Sequence, residues 1–235
     1  MSKILFTKSR RSLWRGLNSL EDYLDPRERE HLVNLGSPAA IQAFLDEIPY
    51  SAEDANRCPL KVLQDRKAHC LDGALFAAAA LRRLGGPPVV VDLLPEPGTD
   101  DDHVLAIYRR DGFWGAVAKS NFAGLRFREA IHRTLRELVL SYFEDFFNLN
   151  GQKTLRAYTV PLDLSVFDRD GWMWRNEGAD LIEDRLSHMR RLPLLTPQMV
   201  SYLSPVDQRS YAAGMLGANP AGLYEPRSQG SASGK

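Results

Sequence analysis

Residues 69–95 read HCLDGALFAAAALRRLGGPPVVVDLLP, and this stretch decides the fold class. Leu71, Ala74, Leu75, Ala78 and Leu81 recur at helical spacing, and Gly85-Gly86 supplies the stop that a helix C-terminus prefers. Cys70 therefore opens a buried helix. The run PPVVVDLLP is continuous, apolar, bounded by prolines and short, which predicts a buried strand directly after that helix.

Downstream, EPGTDDD at 96–102 predicts a loop, and HVLAIYRR, Asp111-Gly112 and FWGAVAKS predict a hairpin closed by a type I′ turn. A two-residue turn sets Arg110 opposite Phe113. In that register His103 lies opposite Ser120, a one-residue slip moves the pairing to Lys119, and the diagonal neighbour is near Asn121. Glu129 to Phe147 predicts an amphipathic helix packed on the sheet, with Ile131, Leu135, Leu138, Tyr142, Phe143 and Phe146 on one face. KTLRAYTVPLDL predicts a strand ending near Pro161, and Ala179 to Arg190 a further helix. Upstream, residues 1–57 predict a helical extension in which Ser37-Pro38 starts the helix AAIQAFLDEI. Trp172 and Trp174, two apart, share a face if extended and predict either an aromatic wall or core burial; the tail SQGSASGK predicts disorder.

Composition narrows the function classes. The 235 residues carry 30 basic against 30 acidic side chains, and this zero balance argues against a non-specific nucleic-acid binder. No run approaches the ~18 apolar residues of a membrane span. A chain of this length buries ~70–75% of its unfolded surface and needs no disulfide or structural metal. Cys58 and Cys70 form no secretory framework, and the opening MSKILFTKSRRS is too short in apolar residues for a signal peptide, so a cytoplasmic location is expected. Arginine supplies most of the basic residues, a bias that fits a GC-rich bacterial genome.

The order of elements carries chemistry. A cysteine at a helix N-terminus sits among unpaired N–H groups at the positive end of the macrodipole, which favours the thiolate and lowers its pKa to ~3.5–7.5 in reactive examples. His103, heading a neighbouring strand, is the candidate base and later proton donor, with a third polar side chain to hold its ring. Backbone N–H groups around Cys70, with the Gln64 amide, are candidates to stabilise an oxyanion. Arg126 and Arg128 are candidates to clamp a carboxylate or phosphate, and otherwise pair with Glu129, Glu137 or Asp145. Asp102, in the acidic run beside His103, favours a cationic substrate end, and Trp114 is a candidate substrate contact that also reads as sheet core. Cys58, His69, Cys70, His103 and the three aspartates show no ordinary ligand spacing, so neither a metal nor a cofactor is expected.

The segments AHCLDGALFAAAALRRLGGPPVVVDLL and DDHVLAIYRRDGFWGAVAKSN resemble the transglutaminase-like superfamily over roughly residues 59–125. The resemblance implies an α+β, papain-like core whose cysteine-bearing helix packs on an antiparallel sheet. The core is expected at 58–165, between a helical N-terminal extension (1–57) and a C-terminal extension packed on it (166–227), with a disordered tail at 228–235. The resemblance implies Cys70 as nucleophile and His103 as base. Where the family has an aspartate after the tryptophan strand, this chain has Lys119, Ser120 and Asn121; Asn121 is the expected third member, as papain-like enzymes use asparagine, and Ser120 the second choice. The six-residue interval from Gln64 to Cys70 is also that of the oxyanion glutamine in papain-like peptidases.

The expected activity is cysteine-dependent acyl transfer: hydrolysis of an amide or isopeptide, or transfer to an amine, on a peptide, protein or small amide, with no nucleic-acid or membrane partner. Two rivals accompany it. One is an inactive binding module of the same fold that holds a peptide or partner protein. The other is an arylamine-type acyltransferase, which usually carries an Arg-Gly-Gly run before the cysteine that this chain lacks.

Overall fold

A computed structural model of the protein describes residues 20–225. The opening MSKILFTKSRRS and the tail SQGSASGK, with the expectations attached to them, lie outside the described residues. After a 3₁₀ turn at Leu20–Tyr23, four helices follow: α1 (Pro26–Asn34), α2 (Pro38–Glu47), α3 (Pro59–Asp65) and α4 (Cys70–Arg83). Then come β1 (Val89–Pro95), β2 (His103–Arg110), β3 (Phe113–Val117), β4 (Arg128–His132), α5 (Leu135–Leu140), β5 (Leu155–Thr159) and β6 (Leu162–Asp163). The chain closes with α6 (Asn176–Ser187), β7 (Arg191–Pro193), α7 (Pro197–Ser201) and α8 (Gln208–Gly214).

Local chemistry accounts for the helix starts. Asp25 and Glu28 form a reciprocal capping box around Pro26, and Ser37 Oγ accepts the Ala40 N–H at 3.1 Å before Pro38 sets the first turn of α2. Every strand pairing is antiparallel, in the order β4-β3-β2-β1-β5-β7 with β6 also on β1. The chain is thus mixed α and β, with helices packed on an antiparallel sheet. The β2–β3 turn has positive φ at both Asp111 (51°) and Gly112 (89°), as the type I′ turn requires, and Arg110 faces Phe113 as expected.

Side-chain alternation along β1 and β2 divides the core in two. Val90, Val104, Ala106 and Tyr108 join α4 on one face through Leu75, Phe76 and Ala78. Val91, Leu93, Leu105 and Ile107 meet Leu138, Val139, Tyr142 and Phe146 on the other. Each such Leu, Val or Phe contributes ~1.5–3 kcal/mol when fully buried.

The β2–β3 ladder stops at Ala106 opposite Val117. Beyond it, α2 takes over the chain: Gln42 accepts the Ala118 N–H at 3.0 Å and donates to its carbonyl at 2.9 Å. Lys119 Nζ donates to the carbonyls of Leu45 at 2.7 Å and Ile48 at 2.5 Å, satisfying the end of α2. These bonds draw residues 118–119 away from β2, so the expected pairing of His103 with Ser120 or Lys119 does not form, and the head of β2 borders a gap. Gly73 lets α4 reach that gap, since a Cβ there would lie 2.2 Å from Lys119 Cβ.

The single helix predicted over Glu129–Phe147 is instead the edge strand β4, the short helix α5 and a 3₁₀ turn at Phe143–Asp145. Pairing of His132 with Trp114 and of Arg128 with Ala116 holds the first part extended, and Thr134 Oγ1 caps α5 by accepting the Glu137 N–H at 3.1 Å. Ile131, assigned to the apolar helical face, is 69% exposed on the edge strand. Trp172 is fully buried and donates Nε1–H to Asp168 Oδ1, which also binds Arg82, while Trp174 stacks on Tyr23 at 4.4 Å. The two tryptophans are packing residues, not an open wall. Among the described residues no helix is long and apolar enough to cross a membrane.

Candidate functional site

The gap at the head of β2 is a narrow cavity lined by Cys70 and His103 together with Tyr50, Asp100–Asp102, Ser120, Asn121, Leu125 and the C-terminal residues Gly222 and Tyr224. Cys70 arrives there as the first residue of α4. Asp72, buried two residues on, anchors this start by accepting the backbone N–H groups of Arg57 at 2.6 Å and His69 at 3.2 Å, with the Arg57 guanidinium 3.7 Å away. His103 arrives from β2 with the parity of Leu105 and Ile107, on the sheet face opposite α4. The two groups line one cavity at the head of β2, beyond the point where its ladder with β3 has stopped.

His103 Nε2 lies 2.7 Å from the Leu125 carbonyl oxygen. A carbonyl only accepts, so Nε2 carries the proton and Nδ1 keeps the lone pair. A backbone oxygen thus holds the ring by its second nitrogen. Burial lowers the imidazole pKa to about 4, helped by the Arg128 charge.

The thiol departs from the expectation set by its helix start. Burial first, then the carboxylates of Asp102 and Asp101, push Cys70 well above the ordinary cysteine range, outweighing the helix end. Its Sγ has a long contact, 4.0 Å, to the Asp102 carbonyl. No hydrogen bond joins Cys70 to His103 among the described residues, and both groups are neutral at rest.

Acidic groups crowd the other side. Asp100 accepts from Thr154 Oγ1 at 2.6 Å. Asp102 reaches solvent along its edge, yet loss of water around its carboxyl, with Asp101 and Glu183 nearby, pushes it up to about 7. Asp92, opposite Val104 on β1 and 2% exposed, has an Oδ1 with no hydrogen-bond partner, and burial together with Asp102 and Asp101 pushes it well up.

The remaining candidates fall elsewhere. Gln64 is exposed on α3 and does not line the cavity, because α3 ends at Arg66 and the chain turns before Cys70. Asn121 lines the cavity, but its amide is spent on the C-terminal segment: Nδ2 donates to the carbonyls of Asn219 and Gly222, and Oδ1 accepts the Asn219 N–H. Ser120 Oγ accepts the Phe122 N–H at 3.0 Å. Neither has a hydrogen bond to His103. Arg128 packs its guanidinium on the Tyr142 ring and binds Ser141, Gly124 and Asp145, which is the plainer structural use. Arg126 pairs with Asp46 at 3.3 Å in the adjoining groove, and Trp114 sits half-buried in β3 under Arg109, away from Cys70.

Two participants lacked a sequence signal. Tyr50, from the stretch expected to be a mere extension, faces both the backbone N–H and the thiol of Cys70, and its own burial pushes its hydroxyl upward. It is held there by a parallel bridge to Ala68, with the Ser51 N–H donating to Ala68 O at 2.9 Å. The Leu125 carbonyl is the other: a backbone acceptor has no residue type to search for. Compared with known proteins, the chain matches no family model and no curated sequence.

Proposed function

We propose that the protein is a cysteine-dependent acyl-transfer enzyme of transglutaminase-like, papain-related type, acting on an amide or isopeptide. The observation that carries this reading is the convergence on one cavity of a thiol at a buried helix start and an imidazole whose Nε2 proton is held by the Leu125 carbonyl. The reaction starts from neutral partners. As Cys70 Sγ bonds to the substrate carbonyl carbon, its proton passes to His103 Nδ1, and the carbonyl electron pair moves onto oxygen. Tyr50, rather than Gln64, is the side chain beside Cys70 able to donate to that oxyanion. Collapse expels the amine, which takes the proton from His103, and leaves a thioester on Cys70 for water or a second amine to resolve. The test is trapping: an activated ester should leave an acyl group on Cys70, and Cys70→Ala should abolish turnover. Turnover surviving in that variant would place the chemistry elsewhere.

A second reading, an inactive binding module, is favoured by one specific feature. The side chain expected to orient His103, Asn121, holds a segment of the chain itself over the cavity.

A further inference from the structure

Residues 219–224 treat the cavity as a peptide treats its receptor. Asn219 uses all its polar groups: its N–H donates to Asn121 Oδ1 at 2.7 Å, and its carbonyl accepts Asn121 Nδ2 at 2.9 Å and the Gly222 N–H at 3.0 Å. Its own Oδ1 caps the Ala221 N–H at 3.1 Å, and its Nδ2 donates to the Tyr50 carbonyl at 3.1 Å. Pro220–Gly222 form a 3₁₀ turn whose Gly222 carbonyl accepts the second Asn121 proton at 3.1 Å. Gly222 lies flat on Tyr50, where a Cβ would come within 2.9 Å of the ring, and Gly222 and Tyr224 line the wall shared with Cys70 and His103. The upstream tether is firm: α8 sets Gly214 against the Phe147 ring, and Tyr211 donates to the Leu149 carbonyl at 3.1 Å.

A side-chain amide that reads two carbonyls and one N–H of another segment recognises backbone in a turn, independent of most side chains. We propose that the groove formed by Tyr50, Asn121 and the Cys70 cavity is a binding site for a peptide turn of Asn-Pro-x-Gly type, and that the chain's own Asn219–Tyr224 segment occupies it in cis. The short tether from α8 gives this segment an effective concentration of order millimolar, so an outside peptide competes only when the segment is released. This deepens the acyl-transfer reading and rests on it for the identity of the site, not for the binding.

The test uses the full chain and the alkylation of Cys70 by iodoacetamide, read by mass spectrometry. Gly222→Val should lift the segment from Tyr50 and accelerate labelling about tenfold or more, because the rate follows the fraction of open molecules. The synthetic peptide acetyl-GANPAGLY-amide, at millimolar concentration, should restore slow labelling in the variant and leave the wild type unchanged; its Asn→Ala form should protect nothing. Asn219→Ala provides the same comparison if Gly222→Val loses its cooperative melt. Wild-type labelling in a folded variant, or no protection by the peptide, overturns the proposal. Peptide protection without any trapped thioester sinks the acyl-transfer reading alone, whereas a thioester without protection sinks the strap alone.

Discussion

His103 and Leu125 are joined by a 2.7 Å hydrogen bond in which the ring donates and the backbone carbonyl accepts. The bond fixes one tautomer, and burial lowers the ring pKa from 6.5 to about 4. The unfolded chain therefore takes up this proton first as pH falls. Stability carried by the neutral ring is complete above pH 6.5 and is lost as pH falls through about 4, a loss of up to roughly 3 kcal/mol. Nitrogen NMR at pH 7 should find Nε2 protonated, and urea unfolding of His103→Gln should lose this part of the acid dependence. Because Asp102, raised to about 7, acts with the opposite sign over the same range, wild type and variant are compared at each pH. A ring titrating near 6.5 would contradict the assignment.

The thiol predicts a second profile. With burial and two aspartates opposing ionisation, Cys70 alkylation should rise about tenfold per pH unit between 6 and 9, following the small thiolate fraction. Asp101→Asn with Asp102→Asn should speed labelling at pH 8. Cys58, fully buried and away from the cavity, should label only on unfolding. A plateau already reached at pH 6 would mean a resting thiolate–imidazolium pair, against the direction in which burial and the two aspartates push the thiol.

What could be read from the sequence was whatever is local. The helix behind Cys70, the strand after it and the Asp111-Gly112 turn follow from periodicity and turn chemistry within a few residues, and all three are present. Residues 128–132 mislead because REAIH fits both periods, and only the edge of β3 selects the strand. The site depended on what is not local. Tyr50 reaches Cys70 through a bridge to Ala68, the orienting acceptor is a backbone carbonyl, and Asn121 finds its partner 98 residues away. Sequence spacing placed Gln64 beside Cys70, but the left-handed Arg66 (φ 53°) that ends α3 turns the chain between them.

Gly73 sets how closely α4 approaches the gap, and Gly73→Ala tests it. The added Cβ would meet Lys119 Cβ at 2.2 Å, and Lys119 is held by two carbonyls, so it yields only by moving the helix or the strand end. Overpacking of this kind costs about 1–3 kcal/mol, beyond what alanine returns in helix propensity. At ~2–4 °C per kcal/mol, the melting temperature should drop by several degrees. Gly36→Ala, with open space around its Cβ, is the control and should melt near wild type. An unchanged melting point for Gly73→Ala would mean that the contact between α4 and Lys119 is looser than these distances describe.

Asp92 enters the fold at a disadvantage that depends on pH. Its carboxyl is buried beside Asp102 and Asp101, and its Oδ1 has no partner, so the folded state favours the protonated acid. The unfolded chain releases that proton near 3.8, hence the stability linked to Asp92 is intact below that pH and erodes as pH rises through its folded value. An asparagine at this position would carry no charge at any pH, so it removes the repulsion from Asp102 and Asp101. Asp92→Asn should therefore raise stability at pH 8 by about 1–3 kcal/mol in urea unfolding, with the gain vanishing toward pH 4. As pH rises and the Asp92 carboxyl ionises, its charge opposes Cys70 ionisation, so Asp92→Asn should also quicken Cys70 alkylation on the alkaline side. A variant less stable than wild type at pH 8, with slower alkylation, would mean that the Asp92 carboxylate is needed in its ionised form.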